Sequence, residues 1–179
     1  MFISRRGLER LGPAVLVLVG ALGACGGGST PKSLNLAPAR QNLAELANQQ
    51  YGAATTVGIV RCPQSVEQKQ GNNFFCTVEL DGVPLRVDVV QTDDQGALSF
   101  QQAQAVLVTK NLEAAASSAA AGQGTPTSKV SCGATPVLVE TPGHEVSCAV
   151  TFTNGSTGVA KFKVTAVTGD PALVDIGPA

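Results

Sequence analysis

Cysteine and histidine are the side chains through which this chain could do covalent, metal or acid–base chemistry. It holds five cysteines, Cys25, Cys62, Cys76, Cys132 and Cys148, and one histidine, His144. Structural zinc sites take their ligands in pairs roughly two to four residues apart. Cys62 and Cys76 are 14 residues apart, and Cys132 and Cys148 are 16. No Cys-x-x-Cys occurs, so a dithiol redox pair is not expected either. His144 follows Thr141-Pro142-Gly143 in a polar turn. As a general base it would need an orienting carboxylate and a nucleophile. Glu145 adjoins it but points the other way once a strand has begun. Asp93-Asp94 and Asp170 lack the alternating acids, central glycine and terminal glutamate of a calcium loop. The stretch from Gly26 to Ser33 lacks the Gly-Lys-Ser/Thr order of a phosphate loop. Asn154-Gly155-Ser156 spells a glycosylation sequon but falls where a hairpin turn is expected. No catalytic residue, metal site or cofactor is expected, and the chain reads as a non-enzyme.

Cys25 stands apart from the other four. Arg5, Arg6 and Arg10 open the chain, an apolar run extends from Leu11 to Leu22, and Leu22-Gly23-Ala24 precedes the cysteine. A basic start, a short apolar run and small residues before a cut form an export signal. The run is about a dozen residues where a spanning helix needs about 20. With Cys25 directly after Leu22-Gly23-Ala24, the segment resembles a bacterial lipoprotein lipobox. That resemblance implies removal of residues 1–24 and a diacylglycerol on the Cys25 sulfur. The protein would then sit on the outer face of the cytoplasmic membrane, held by lipid. Residues 25–35 read as a flexible tether.

Composition excludes several classes of function. Residues 1–24 carry three Arg and one Glu, so nine basic and twelve acidic side chains remain after processing, a net charge near −3. No basic patch is available for phosphates, and nucleic acid is not an expected partner. One Tyr, six Phe and no Trp leave few stacking platforms.

The four remaining cysteines mark an internal repeat. Val60-Arg61-Cys62 recurs as Val130-Ser131-Cys132, and Cys76-Thr77-Val78 recurs as Cys148-Ala149-Val150, at offsets of 70 and 72 residues. Each second cysteine sits in an alternating strand: Phe74, Cys76, Val78 and Leu80 share one face, as do Val146, Cys148, Val150 and Phe152. Asp81-Gly82 and Asn154-Gly155 then favour type I′ hairpin turns. Return strands carry Val83, Leu85, Val87 and Val89, and Ala160, Phe162, Val164 and Ala166. Short last strands are expected over 97–101 and 172–176. Helices are expected over 38–51, with Ala39, Leu43, Leu46, Ala47 and Tyr51 on its apolar stripe, and over roughly 106–121. The expected fold is α+β: two tandem units, each a helix followed by a four-stranded antiparallel meander with one disulfide. Unit one spans 36–104 and unit two 105–179. Four cysteines allow three pairings. Duplication favours Cys62–Cys76 and Cys132–Cys148, since each ancestral unit had to be stable alone.

The lipobox with units of form Val-x-Cys-Pro, a loop, then Gly-x-x-Phe-x-Cys-x-Val-x-Leu-x-Gly resembles the small two-cysteine domain of actinobacterial, often mycobacterial, envelope lipoproteins, a domain of unknown function. The likeness is close over 57–92, through Cys62-Pro63 and Phe74-Phe75-Cys76-Thr77-Val78-Glu79-Leu80-Asp81-Gly82. It is weaker over 129–168, where Gly133 and Val146 replace the proline and the phenylalanine. The resemblance brings no catalytic residues. The expected role is a non-catalytic protein-binding or accessory module of the envelope. Its exposed strand faces would carry Thr77, Thr151, Thr153 and Thr165, and a free strand edge is a second docking mode. Alternatives are an inhibitor of a secreted or envelope hydrolase, inserting the Asp93-Asp94 or Gly143-His144 turn into its target, and a small-molecule or lipid carrier with an apolar cavity between helix and sheet.

Overall fold

The computed structural model describes residues 32–178. Leu22, Gly23, Ala24 and Cys25, with the rest of residues 1–31, lie outside the described residues. Over the described residues the fold is α+β, with two helices and antiparallel sheets.

Helix α1 runs over Ala37–Tyr51, with Pro38 in its first turn and the Asn35 Oδ1 accepting the Ala37 N–H at 3.1 Å. It buries Ala39, Leu43, Ala47 and Tyr51 at helical spacing. Leu46, expected on that stripe, is half exposed instead. Strands β1 (Val57–Arg61), β2 (Asn73–Leu80), β3 (Val83–Gln91) and β4 (Leu98–Gln102) form one sheet in that order. Cys76, Val78 and Leu80 of β2 and Leu85, Val87 and Val89 of β3 are buried against α1, as strict alternation requires. The β2–β3 turn has Asp81 at φ 47° and Gly82 at φ 82°, the left-handed pair that a type I′ turn needs.

The second sheet has the order β10-β9-β8-β6, from β6 (Thr127–Ser131), β8 (Glu145–Phe152), β9 (Thr157–Val164) and β10 (Pro171–Pro178). Helix α2 (Thr109–Gly122) buries Leu112, Ala116 and Ala120 against it. Val146, Cys148, Val150 and Phe152 face inward together with Ala160, Phe162 and Val164. Only Gly155 of the β8–β9 turn has a positive φ, so this is not a type I′ turn. The Gly155 N–H bonds the Phe152 carbonyl and the Phe152 N–H bonds the Ser156 carbonyl, which closes a longer loop.

Residues 106–108, expected in the second helix, are strand. β5 (Ala105–Val108) pairs antiparallel with β7 (Val137–Glu140) in a two-stranded sheet. Its Val-Leu-Val run is β-branched at both ends and offers side chains to opposite sides. Val106 packs in the first core, and Ala105 and Leu107 in the second. The 166–170 loop comes close to the same ribbon. Gly169 has φ 82°, and a Cβ there would lie 2.6 Å from the Val106 carbonyl oxygen, so this position requires glycine.

Disulfides join Cys62 to Cys76 and Cys132 to Cys148, with Cα separations of 4.3 and 4.1 Å. The segment between Cys62 and Cys76 is held at further points, among them Asp94, whose carbonyl and Oδ1 accept from Gln68 Nε2 and the Gln70 N–H. Ser33 bridges Glu67, through Leu34 N–H to the Val66 carbonyl and Gln68 N–H to the Lys32 carbonyl. Gln91, 1% exposed, reaches into the loop from β3: its Oε1 accepts the Lys69 N–H and its Nε2 donates to the Glu67 carbonyl.

Candidate functional site: an open strand edge beside an apolar slot

Strand β4 forms an outer edge of the first sheet. Toward β3, its neighbourhood is bonded through the Ala97 carbonyl, which accepts from Thr92, and the Ala103 N–H, which donates to Arg86. Antiparallel ladders alternate, so Ser99 and Gln101 also face β3, whereas Leu98, Phe100 and Gln102 turn N–H and C=O outward. Among the described residues no strand lies beyond β4 in its sheet. The fourth strand of the other sheet, β10, has eight residues and packs on α2; β4 has five.

Between β4 and α1 the helix leaves an apolar slot of about 190 Å³, lined by Leu43, Leu46, Val87 and Phe100. Leu46 is 50% exposed on the slot's rim. The far end is polar and tied down. The Tyr51 hydroxyl donates to Gln102 Oε1 at 2.7 Å, and Gln102 Nε2 donates to the Gln104 and Val167 carbonyls. Burial pushes the Tyr51 phenol above its ordinary pKa. On the other side of Tyr51 lies a second depression, of about 480 Å³, bordered by Asn111, Thr168 and Asp170.

The residues singled out from the sequence are dispersed. Thr77 and Thr151 are half-buried on the outer faces of their sheets, and Thr153 and Thr165 are exposed. Near Thr77 lie Ile59, 60% exposed, and Phe75, whose ring carries the Arg86 guanidinium 4.4 Å from its centroid. Arg86 also bonds Asp88, and Arg61 pairs with Glu79. The Asp93-Asp94 turn is internally bonded. Asp93 Oδ1 accepts N–H groups from Gln95, Gly96 and Ala97, which hold its carboxyl below the ordinary range, the Ala97 bond most of all. Asp94 bonds Gln68 and Gln70. His144 does have a carboxylate partner, at Glu140 rather than Glu145: Nδ1 lies 2.6 Å from Glu140 Oε2. The pair is solvent-exposed, and no hydroxyl or thiol bonds the other ring nitrogen among the described residues. The i,i+4 spacing of Glu140 and His144 was a usable signal that the Thr141–Gly143 turn obscured. Among the described residues no three His, Cys, Asp or Glu side chains converge as a metal site.

Residues 17–96 match a domain of unknown function, DUF4333. The DUF4333 match takes in α1, the first three strands and the Cys62–Cys76 disulfide, and it stops just short of β4. No curated protein and no solved structure matches the chain.

Proposed function

We propose that this chain is a lipid-anchored, non-catalytic protein-binding module of the bacterial cell envelope, of the actinobacterial lipoprotein type and built from two tandem copies of one small disulfide-stapled domain. The observation that carries the binding role is the open β4 edge beside the apolar slot under α1, because a free ladder next to a pocket is the arrangement that strand addition uses. Export and anchoring at Cys25 rest on Leu22-Gly23-Ala24-Cys25 and on two disulfides, which persist in oxidising compartments. Duplication is supported by position. Buried Leu34, Ala39, Leu43 and Ala47 stand 73 residues before Leu107, Leu112, Ala116 and Ala120. The Gly71 N–H bonds the Gln91 carbonyl as the Gly143 N–H bonds the Val164 carbonyl. The Ser33–Glu67 bridge likewise stands where Val106 pairs with Val139.

A carrier of small molecules or lipids is the second reading, since the slot does lie between helix and sheet. At about 190 Å³ the slot falls below the roughly 300–1,000 Å³ of drug-sized ligand sites, whereas the depression on the far side of Tyr51, at about 480 Å³, falls within it. Photo-crosslinking in intact envelopes separates the two. Probes at Leu46 and Gln101 should give one recurrent protein adduct that a probe at Ser147, on the other sheet, does not. Lipid adducts alone would replace the protein-binding reading with the carrier.

A further inference from the structure

We infer that the β4 edge accepts an extended segment of a partner protein as a fifth strand, with apolar side chains at alternate positions and Lys or Arg near its ends; this rests on the protein-binding reading above. Leu98, Phe100 and Gln102 present three N–H and three C=O groups outward in β geometry, so the complement is another backbone in the same geometry. Side chains alternate across a sheet, so every second residue of the added strand falls on the face that bears Phe100 and meets the slot. A slot of about 190 Å³ suits such a side chain better than a whole ligand. Apolar contact with Leu43, Leu46 and Phe100 selects the alternating aliphatic pattern.

Charge supplies the ends. The helix wall beside Phe100 carries Glu45, and the depression past Tyr51 carries Asp170. Among the described residues these are the charged side chains lining the slot and its neighbouring depressions; both are acidic, and neither is in an ion pair there. Helix α1 packs against β1, and α2 against β6 and β10. At β4 an outward ladder and a slot for side chains lie side by side, which favours strand addition there.

The test uses the full-length protein in detergent and a fluorescent peptide, Lys-Val-Thr-Val-Thr-Val-Lys, blocked at both ends. Polarisation should show saturable binding, and hydrogen exchange should show new protection across 98–102. N-methylation of alternate peptide amides removes the ladder but keeps the side chains. Methylation in the bonding register should weaken binding about tenfold or more, and in the other register much less. Replacing the terminal Lys by Glu should weaken binding. Glu45→Gln and Asp170→Asn should each cost about two- to fivefold at low salt, and less as salt rises. Both substitutions are at exposed or rim positions, so folding is not at stake. Protection elsewhere, indifference to N-methylation, or equal affinity of Lys- and Glu-ended peptides would overturn the inference. If no peptide binds while Leu46 and Gln101 still crosslink a protein in envelopes, strand addition falls and the protein-binding reading stands. If neither occurs, both fall.

Discussion

Replacing Gln91 by Leu should free the inter-cysteine loop of the first sheet while leaving the sheet itself intact. Leucine fills much the same space and stays apolar, so little volume is lost from a position that is 1% exposed. What disappears is a pair of bonds, to the Lys69 N–H at 3.0 Å and the Glu67 carbonyl at 2.7 Å. Each is worth about 1 kcal/mol net, so the closed loop loses about 2 kcal/mol relative to a locally open one. Lys69 and Glu67 are themselves exposed, so their peptide groups rehydrate when the loop lifts and the larger penalty of an orphaned buried group is avoided. The Cys62–Cys76 disulfide limits how far the loop can move. Amide exchange over 66–72 should therefore quicken about thirtyfold, with β2 and β3 almost unchanged. Hydrogen exchange read by mass spectrometry, alongside a urea titration, measures both. Unchanged loop exchange would refute the reasoning. So would a urea midpoint lowered by the full amount with the loop still protected, since Gln91 would then be stabilising the sheet and not clamping the loop.

Converting Cys62 and Cys76 together to Ser opens a loop of 14 residues' separation and should cost about 3 kcal/mol in a urea titration. A loss under about 0.5 kcal/mol would refute the chain-entropy account of this crosslink. A pH series of thermal melts addresses the turns. Asp81 is held below its ordinary pKa, first by the Thr55 hydroxyl and then by the Thr56 N–H, and Asp93 by its three backbone donors, Ala97 first. Both carboxyls bind a proton less readily folded than unfolded, so their stabilisation is present above the unfolded value, about 4, and is lost as pH falls through the lower folded values. The melting temperature should be level from pH 7 to about 5 and fall below about 4, and Asp81→Asn with Asp93→Asn should flatten that fall. An equally steep fall in the double variant would place the acid sensitivity elsewhere.

Where structure depends on neighbours in sequence, it was legible. Alternation around Cys76 and Cys148 marked the buried strand faces, Asp81-Gly82 marked its turn, and Ala39, Leu43, Ala47 and Tyr51 marked α1. The misses depended on partners far along the chain. Val106 to Val108 fit the periodicity of a helix, and only pairing with Val137–Val139 makes them strand. Asn154-Gly155 has the composition of a tight turn, but Phe152 and Ser156 close a wider one. Gln91 sits in an alternating apolar strand, and nothing local says that its amide will be buried and satisfied by a loop more than twenty residues earlier. The sequence points to a free strand edge only in general, without saying which strand carries it. An edge is open because of what does not cover it, and that is settled by how far α1 reaches across the sheet.

The Ser33–Glu67 bridge also decides how the molecule bears a load. Tension arriving through the residues before Lys32 meets the fold first at two backbone bonds, Gln68 N–H to the Lys32 carbonyl and Leu34 N–H to the Val66 carbonyl. The loop that holds them is covalently closed by Cys62–Cys76 and clasped by Gln91, so the pull passes through the loop into the centre of the sheet before it reaches the first turn of α1. A tug at the N-terminal end is thus spread over a crosslinked ring and a buried strand, and α1 is spared from unwinding one hydrogen bond at a time.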